Sequence, residues 1–503
     1  MKVLKIEPNF TLTNLLKANK YWPETSLFFL CAVYWIYLIK SSAMQISCDA
    51  IGFELAGKNL YEKGWVHFFV NGPQREPIYP FLISLSMRFA NFIHMNYQTI
   101  QATLQMLILF IAQIFTLVIL KRLGVHRILG ILVGLYIGIS PAIINSTLSL
   151  FSEVVTYPLV LGVVVSAVYA WKCIREKTLK HISIAGLITS SFFVSLIFAK
   201  VAYYYAFFIF HASFLLLLMV SDKNQMKMIF RKTVFYIFIS ATFMHFLVVP
   251  YKLLNLKYNG NYEFTDRGAR HFWICAYART QPHSARALLA RLAAVPGDNV
   301  CRKFFSASEC LDVSFLGSDH LRDIDYVKLM DGNPAFVRNE LFMSAAFELV
   351  SQKPVQYTVL YVIEGLRTFF WETSRLGFVS YASWLQALYD SEFFNSMLRL
   401  IISVLSIVAF ILIVFQMVKI FLSGLGINPP IDQRILFSYF LIAMVVSHIA
   451  IYALTNIVTR YSLHVAPLFL ISIALTSDGI LFGKAKAVIS NYETTANVQI
   501  CSK

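Results

Sequence analysis

The residues of this chain best equipped for chemistry stand beside its long apolar runs. Asp49 follows the first run in Ser47-Cys48-Asp49-Ala50, and Glu54 lies a turn further on. Arg75, Glu76 and Tyr79 stand close together in Gln74-Arg75-Glu76-Pro77-Ile78-Tyr79-Pro80. Glu153 opens a later run in Phe151-Ser152-Glu153, Lys200 separates two runs in Phe198-Ala199-Lys200-Val201, and Thr459-Arg460-Tyr461 opens the last one. An ionisable group in hydrocarbon costs at least ~2.5–3.5 kcal/mol, so one kept at a membrane edge is a functional candidate by default. A carboxylate there can take a proton from a hydroxyl or an amine. An arginine offers a bidentate fork to a phosphate, and a lysine offers a point charge. Each residue alone has a plainer reading. Asp49 could cap a helix, and Lys200 could snorkel from a helix end. Together they describe one carboxylate for a proton and several cations for an anion.

The elements that must position them are transmembrane helices. The chain has 503 residues, of which 58% are apolar and only 14% charged, against about 25% charged in soluble domains. Ten spans are expected near 25–43, 99–120, 127–145, 153–172, 182–199, 201–220, 233–250, 396–420, 435–455 and 461–481, each able to cross ~30 Å of hydrocarbon. The net charge of +16 could hint at nucleic acid, but the basic residues fall in short clusters between apolar runs. Lys121, Arg122 and Arg127; Lys172, Arg175, Lys177 and Lys180; and Lys223, Lys227, Arg231 and Lys232 are such clusters. With the N-terminus in the cytoplasm, all of them fall on the cytoplasmic side, as the positive-inside rule requires. The first span follows a polar stretch and precedes no small-residue cleavage site, which argues against a cleavable signal peptide. The expected architecture is an all-α polytopic membrane protein in three parts. Residues 1–250 form an N-terminal transmembrane module with a helical first loop at 44–98. Residues 251–395 form a large outer loop before the last three spans, and 396–503 hold the C-terminal spans and a cytoplasmic tail.

In the first loop, Ile51 to Tyr61 is expected to be a helix with Phe53, Ala56 and Leu60 on one face, and a second helix is expected over 79–93. Arg75 and Glu76 would flank the start of that second helix, where an anion is welcome. Within the outer loop, Gln356–Trp371 is apolar, but Glu364, Arg367 and Glu372 favour a surface-lying amphipathic helix over an eleventh span. Cys48, Cys275, Cys301 and Cys310 fall on the outer side, where disulfides are permitted. A bridge between Cys301 and Cys310 and two reduced thiols stand level, since pairing is not legible in sequence.

An acid just after the first span, an Arg75-Glu76-Pro77 motif later in the same loop, Ser152-Glu153 at the fourth span and Arg460-Tyr461 at the last span resemble the GT-C superfamily. These are membrane glycosyltransferases with polyprenyl-phosphate-linked sugar donors, among them the protein O-mannosyltransferases and the lipid A aminoarabinose transferases. The resemblance covers roughly residues 25–250 and returns at Thr459–Pro467; it does not extend to residues 251–395. It implies that Asp49 deprotonates the acceptor, that Arg75 contacts the donor phosphate, and that Glu153 and Arg460 line the same cavity. Lys200 would join Arg75 and Arg460 on the phosphate, with Glu54, Glu76, Tyr79 and Tyr461 in support. One departure matters. Many relatives have two adjacent acids in the first loop, whereas Ala50 follows Asp49 here, and Glu54 is the next acid.

The chemistry so implied is transfer of a sugar at the extracytoplasmic face of the inner or plasma membrane. Its partners would be a polyprenyl-phosphate sugar, a glycan, lipid or protein acceptor and membrane lipid, with no nucleic acid. Glycosyl transfer from phosphate develops oxocarbenium character on the sugar and negative charge on the departing phosphate. A single base opposite the leaving group implies inversion. No cofactor is expected, and a metal-dependent variant, a divalent-metal enzyme that would want several convergent carboxylates, is disfavoured. The competing readings are a flippase for a lipid-linked saccharide, which should show repeated halves and Gly/Pro-broken spans near the midplane, neither of which is expected here, a glycan polymerase or ligase of related fold, and a structural membrane subunit without catalysis.

Overall fold

A chain this apolar must satisfy its backbone polar groups within each segment wherever it meets lipid, and the helix does so with local bonds alone. The computed structural model describes residues 22–47, 49–70, 75–220, 225–265, 268–281, 284–307, 309–310, 335–372, 378–422, 433–455 and 459–482, and these are helical almost throughout. The N-terminal part contains Trp22–Ser41 (α1), Asp49–Val70 (α2), Ile78–Ile93 (α3), Tyr97–Arg122 (α4), Arg127–Ile139 (α5), Pro141–Leu148 (α6), Glu153–Glu176 (α7), Leu179–Ala199 (α8), Ala202–Leu216 (α9) and Met226–Asn259 (α10). Gly268–Thr280 (α11), Ala285–Ala293 (α12), Ala335–Gln352 (α13), Pro354–Gly365 (α14) and Ser383–Asp390 (α15) follow. Glu392–Leu422 (α16), Gln433–Thr455 (α17) and Arg460–Phe482 (α18) complete the described chain.

Among the described residues, nine helices are long and apolar enough to cross a membrane: α1, α4, α7 to α10 and α16 to α18. The protein is a multi-pass helical membrane protein. The expected third span over 127–145 is instead two helices, α5 and α6, bent by 44° at Ser140-Pro141, so the expectation of no Gly/Pro-broken span does not hold. Pro141 cannot supply the N–H that would carry the helix through, and Ser140 is extended (φ −54°, ψ 125°). The buried carboxylate of Glu372 fills the break, accepting from Tyr136 Oη at 2.6 Å, Ser140 Oγ at 2.7 Å and Ala142 N at 3.0 Å.

Helix α7 is buried on nearly every side, as a helix apolar all round should be. It packs against α4, α8 and α17. Gly162 lets α8 approach, since a Cβ there would stand 2.3 Å from the Phe192 ring. The first loop forms the expected pair of helices, α2 and α3, with Phe53, Gly57 and Leu60 buried between them and the bundle. Helix α2 kinks at Gly64, whose φ of 78° suits a residue without a Cβ.

The stretch 251–395 differs from a simple loop. Helix α10 continues past 250 to Asn259, and α11 to α15 follow. The Gln356–Trp371 stretch holds most of α14, a helix of only 12 residues that starts at Pro354, and a 3₁₀ turn, Leu366–Phe369. At 1.5 Å per residue the helix reaches about 18 Å, short of a span. The region folds back on the end of α1: Ala43–Met44 (β1) pairs antiparallel with Val379–Ser380 (β2), and Trp384 Nε1 donates to Tyr37 Oη at 2.7 Å. Cys301 and Cys310 are disulfide-bonded; Cys275 is free and buried, and Cys48 lies outside the described residues.

The residues expected in the cytoplasm gather at one end of the bundle. Arg434 donates to the carbonyls of Leu123 and Gly124 and pairs with Asp478 at 2.9 Å, and Asp478 also accepts from His126 N at 2.8 Å. Arg127 pairs with Glu24 nearby. The candidate site is at the other end, where α1 stops and α7, α9 and α18 begin.

Candidate functional site

Five charged side chains from four distant parts of the sequence meet in one row. Asp49, in the first turn of α2, accepts at Oδ1 from Arg75 Nη2 at 2.8 Å and at Oδ2 from Arg460 Nη2 at 2.6 Å. Arg460 Nε lies 3.2 Å from Glu153 Oε1, and Lys200 Nζ lies 3.8 Å from the same oxygen. The order is Arg75, Asp49, Arg460, Glu153, Lys200: cation and anion alternate, with one positive charge left over.

Local structure brings each of them in. Arg75 stands before α3 and crosses back over α2, where Gly52 makes room; a Cβ at Gly52 would be 3.0 Å from Arg75 Nη2. Glu153 begins α7 and Arg460 begins α18. Lys200 sits in the extended break between α8 and α9, its N–H still bonded to Leu196 O at 2.7 Å. Aromatic rings floor the row. The Phe53 ring lies 4.2 Å from Arg75 Cζ and 5.8 Å from Lys200 Nζ, so these two cationic heads are separated by no more than the sum of those distances. Phe151 underlies Arg460 at 4.2 Å, and Tyr461 lies 5.5 Å from Lys200 Nζ. Such rings attract a cation while excluding water.

Exposure separates the two carboxylates. Glu153 is fully buried, whereas the Asp49 side chain is 35% exposed, so Asp49 is the acid that a molecule from outside can reach. Burial opposes its charge, but the charges and hydrogen bonds of Arg460 and Arg75 outweigh burial and hold its carboxyl well below the usual carboxylate range.

The remaining sequence candidates take other places. Glu76 Oε1 accepts from Val201 N at 3.1 Å, tying the first loop to the start of α9 beside Lys200, a favourable seat for a carboxylate. Tyr79 is buried with its hydroxyl on Gln105 Oε1 at 2.7 Å, and its ring meets Phe53 edge-on at 5.1 Å. It supports the floor. Glu54 accepts from Tyr97 Oη, so its described bond leads to α4 and not to the row.

Beneath the row lies a polar layer that sequence reasoning missed. His464 Nδ1 is 2.9 Å from Thr156 Oγ1, and His448 Nδ1 is 3.2 Å from Tyr203 Oη, all four residues being buried. One signal was present, since His464 follows Arg460 by four residues and so shares its face. The partners His448, Thr156 and Tyr203 come from three other helices, and no local pattern joins them. Among the described residues, no three His, Cys, Asp or Glu side chains converge as metal ligands. The row can hold an oxyanion on Arg75, Arg460 and Lys200 and present one accessible carboxylate beside it. No family model matches this chain, and no curated protein does either.

Proposed function

We propose that this protein is a membrane glycosyltransferase of the GT-C kind, moving a sugar from a polyprenyl-phosphate donor to an acceptor on the extracytoplasmic face. The observation that carries the reading is the row itself: the residues of the GT-C-like motifs, scattered from Asp49 to Arg460, are within ion-pair reach of one another at one end of the helix bundle.

In this reading the donor phosphate enters between Arg75, Arg460 and Lys200, exchanging their carboxylate partners for its own oxygens. The apolar tail stays in the bilayer. As Arg75 and Arg460 turn to the phosphate, Asp49 loses the two cations that hold its proton affinity down and becomes the base. It takes the proton of the acceptor hydroxyl or amine while the freed electron pair attacks the anomeric carbon. The bond from that carbon to the phosphate oxygen breaks, its electron pair leaves with the polyprenyl phosphate, and the cations stabilise the departing charge. A single base opposite the leaving group gives inversion.

The test is transfer of radiolabelled sugar from a panel of polyprenyl-phosphate sugars in membranes that contain the protein, compared with membranes that contain Arg75→Gln. Transfer from one donor that depends on Arg75 supports the proposal. Movement of the intact lipid-linked sugar across the bilayer without transfer would replace it with a flippase.

A further inference from the structure

A second charged cluster lies in the region 251–395, built from residues that take no part in the Asp49 row. Arg279 ends α11, Arg291 lies on α12, and Arg367 lies in the 3₁₀ turn after α14. Arg279 pairs with Glu364 and donates to Tyr357 Oη at 3.1 Å and to the carbonyl of Ala453 near the end of α17. Arg291 Nη1 lies 3.6 Å from the same Glu364. Arg367 follows Glu364 by three residues, one turn along, and its charge bears on Arg291. Two guanidinium groups thus share one carboxylate, and the charge of a third bears on one of them.

Burial makes that imbalance costly. The side chains of Arg279 and Arg291 are 1% and 4% exposed, and a buried charge is tolerated when it is paired and hydrogen-bonded. Here Arg279 Nε, Arg291 Nη2 and Arg367 Nε are buried without a hydrogen-bond partner among the described residues. The nearby Cys275 thiol cannot supply the missing negative charge, because burial pushes it up to about 12 and keeps it neutral. Arg291 feels the strain, with burial foremost and its arginine neighbours adding to it; its pKa falls to about 10, which still leaves it charged at neutral pH. An anion with several oxygens would answer both deficits at once, the unbalanced charge and the idle N–H groups.

We infer that the Arg279–Arg291–Arg367 cluster binds a phosphate-type oxyanion, carried by a lipid headgroup or by a free phosphate compound. The inference does not rest on the glycosyltransferase reading. The cluster lies at the same end of the bundle as the Asp49 row, since Ser462 Oγ, two residues beyond Arg460, donates to Arg367 O at 3.4 Å.

The experiment measures thermal unfolding of the purified full-length protein in two arms. One adds inorganic phosphate to protein in detergent against a chloride control of equal ionic strength. The other compares nanodiscs of phosphatidylglycerol with nanodiscs of phosphatidylcholine. A bound anion raises the melting temperature by mass action. Wild type is expected to be stabilised in at least one arm; the phosphate arm identifies a free anion, and a response confined to nanodiscs identifies a headgroup. Arg75→Gln, which disables the Asp49 row, should keep the shift, and Arg291→Gln should lose it, through roughly a tenfold or greater weakening of the site. Arg367→Gln, at a partly exposed side chain, serves if Arg291→Gln does not fold and should reduce the shift. No shift in wild type, a full shift in Arg291→Gln or Arg367→Gln, or a shift abolished by Arg75→Gln overturns the inference.

Discussion

Replacing Asp49 by Asn separates the chemistry of the row from its architecture. Asn keeps the size and one accepting oxygen, so the bond from one arginine can survive, but it carries no charge and takes no proton. If Asp49 is the base, turnover falls by ~10²-fold or more, which corresponds to about 2.7 kcal/mol or more of barrier. The structure predicts the opposite direction for the donor. Both oxygens of Asp49 occupy guanidinium groups that, in the proposed mechanism, the donor phosphate would take, so removing the carboxylate charge should leave donor affinity unchanged or raise it. The assay is single-turnover transfer from a saturating donor together with equilibrium binding of that donor to the same preparation. The pH dependence follows from the lowered pKa of Asp49: its contribution to stability is present above the ordinary carboxylate range and is lost as pH falls below it. The gap in melting temperature between wild type and Asp49→Asn should therefore narrow in acid. Near-wild-type turnover in a folded Asp49→Asn protein would refute the assignment and leave Glu153 as the remaining acid of the row.

Glu153→Gln removes a fully buried carboxylate that faces Arg460 and Lys200; losing one partner of a buried pair typically costs about 3–5 kcal/mol, so the melting temperature in detergent should drop clearly. Gly52→Val should push the Arg75 guanidinium off Asp49, because even a Cβ would stand 3.0 Å from Nη2; donor binding should weaken about tenfold or more while helix content by circular dichroism is retained. The Cys301–Cys310 bridge should appear as a linked peptide pair in a non-reducing digest, and Cys310→Ser should cost about 2–3 kcal/mol by relaxing so short a loop. A reporter fused at Gly317 should respond as extracytoplasmic if the Lys/Arg clusters orient the chain by the positive-inside rule; a cytoplasmic response would reverse the topology.

Composition and apolar run length fixed the class of this protein and nearly all of its spans, because hydrocarbon admits few backbone solutions and a helix is a local one. The Asp49, Arg75, Glu153, Lys200 and Arg460 positions were likewise legible, since a charge beside a long apolar run stands out wherever it occurs. Gly/Pro signals were less clear. The break at Pro141 inside the 127–145 run was not expected, and what stabilises it is Glu372, more than 200 residues away. Only the tertiary structure decided which charges meet. Asp49 touches Arg460 across 411 positions, while Glu54, only a turn from Asp49, bonds Tyr97 instead. It also decided the buried layer of His464, His448, Thr156 and Tyr203 and the sharing of Glu364 by Arg279 and Arg291. The physical reason is that burial and apolar periodicity act along one helix and are written in its local sequence. Pairing between charges depends on how helices cross, and that geometry belongs to the packed bundle as a whole.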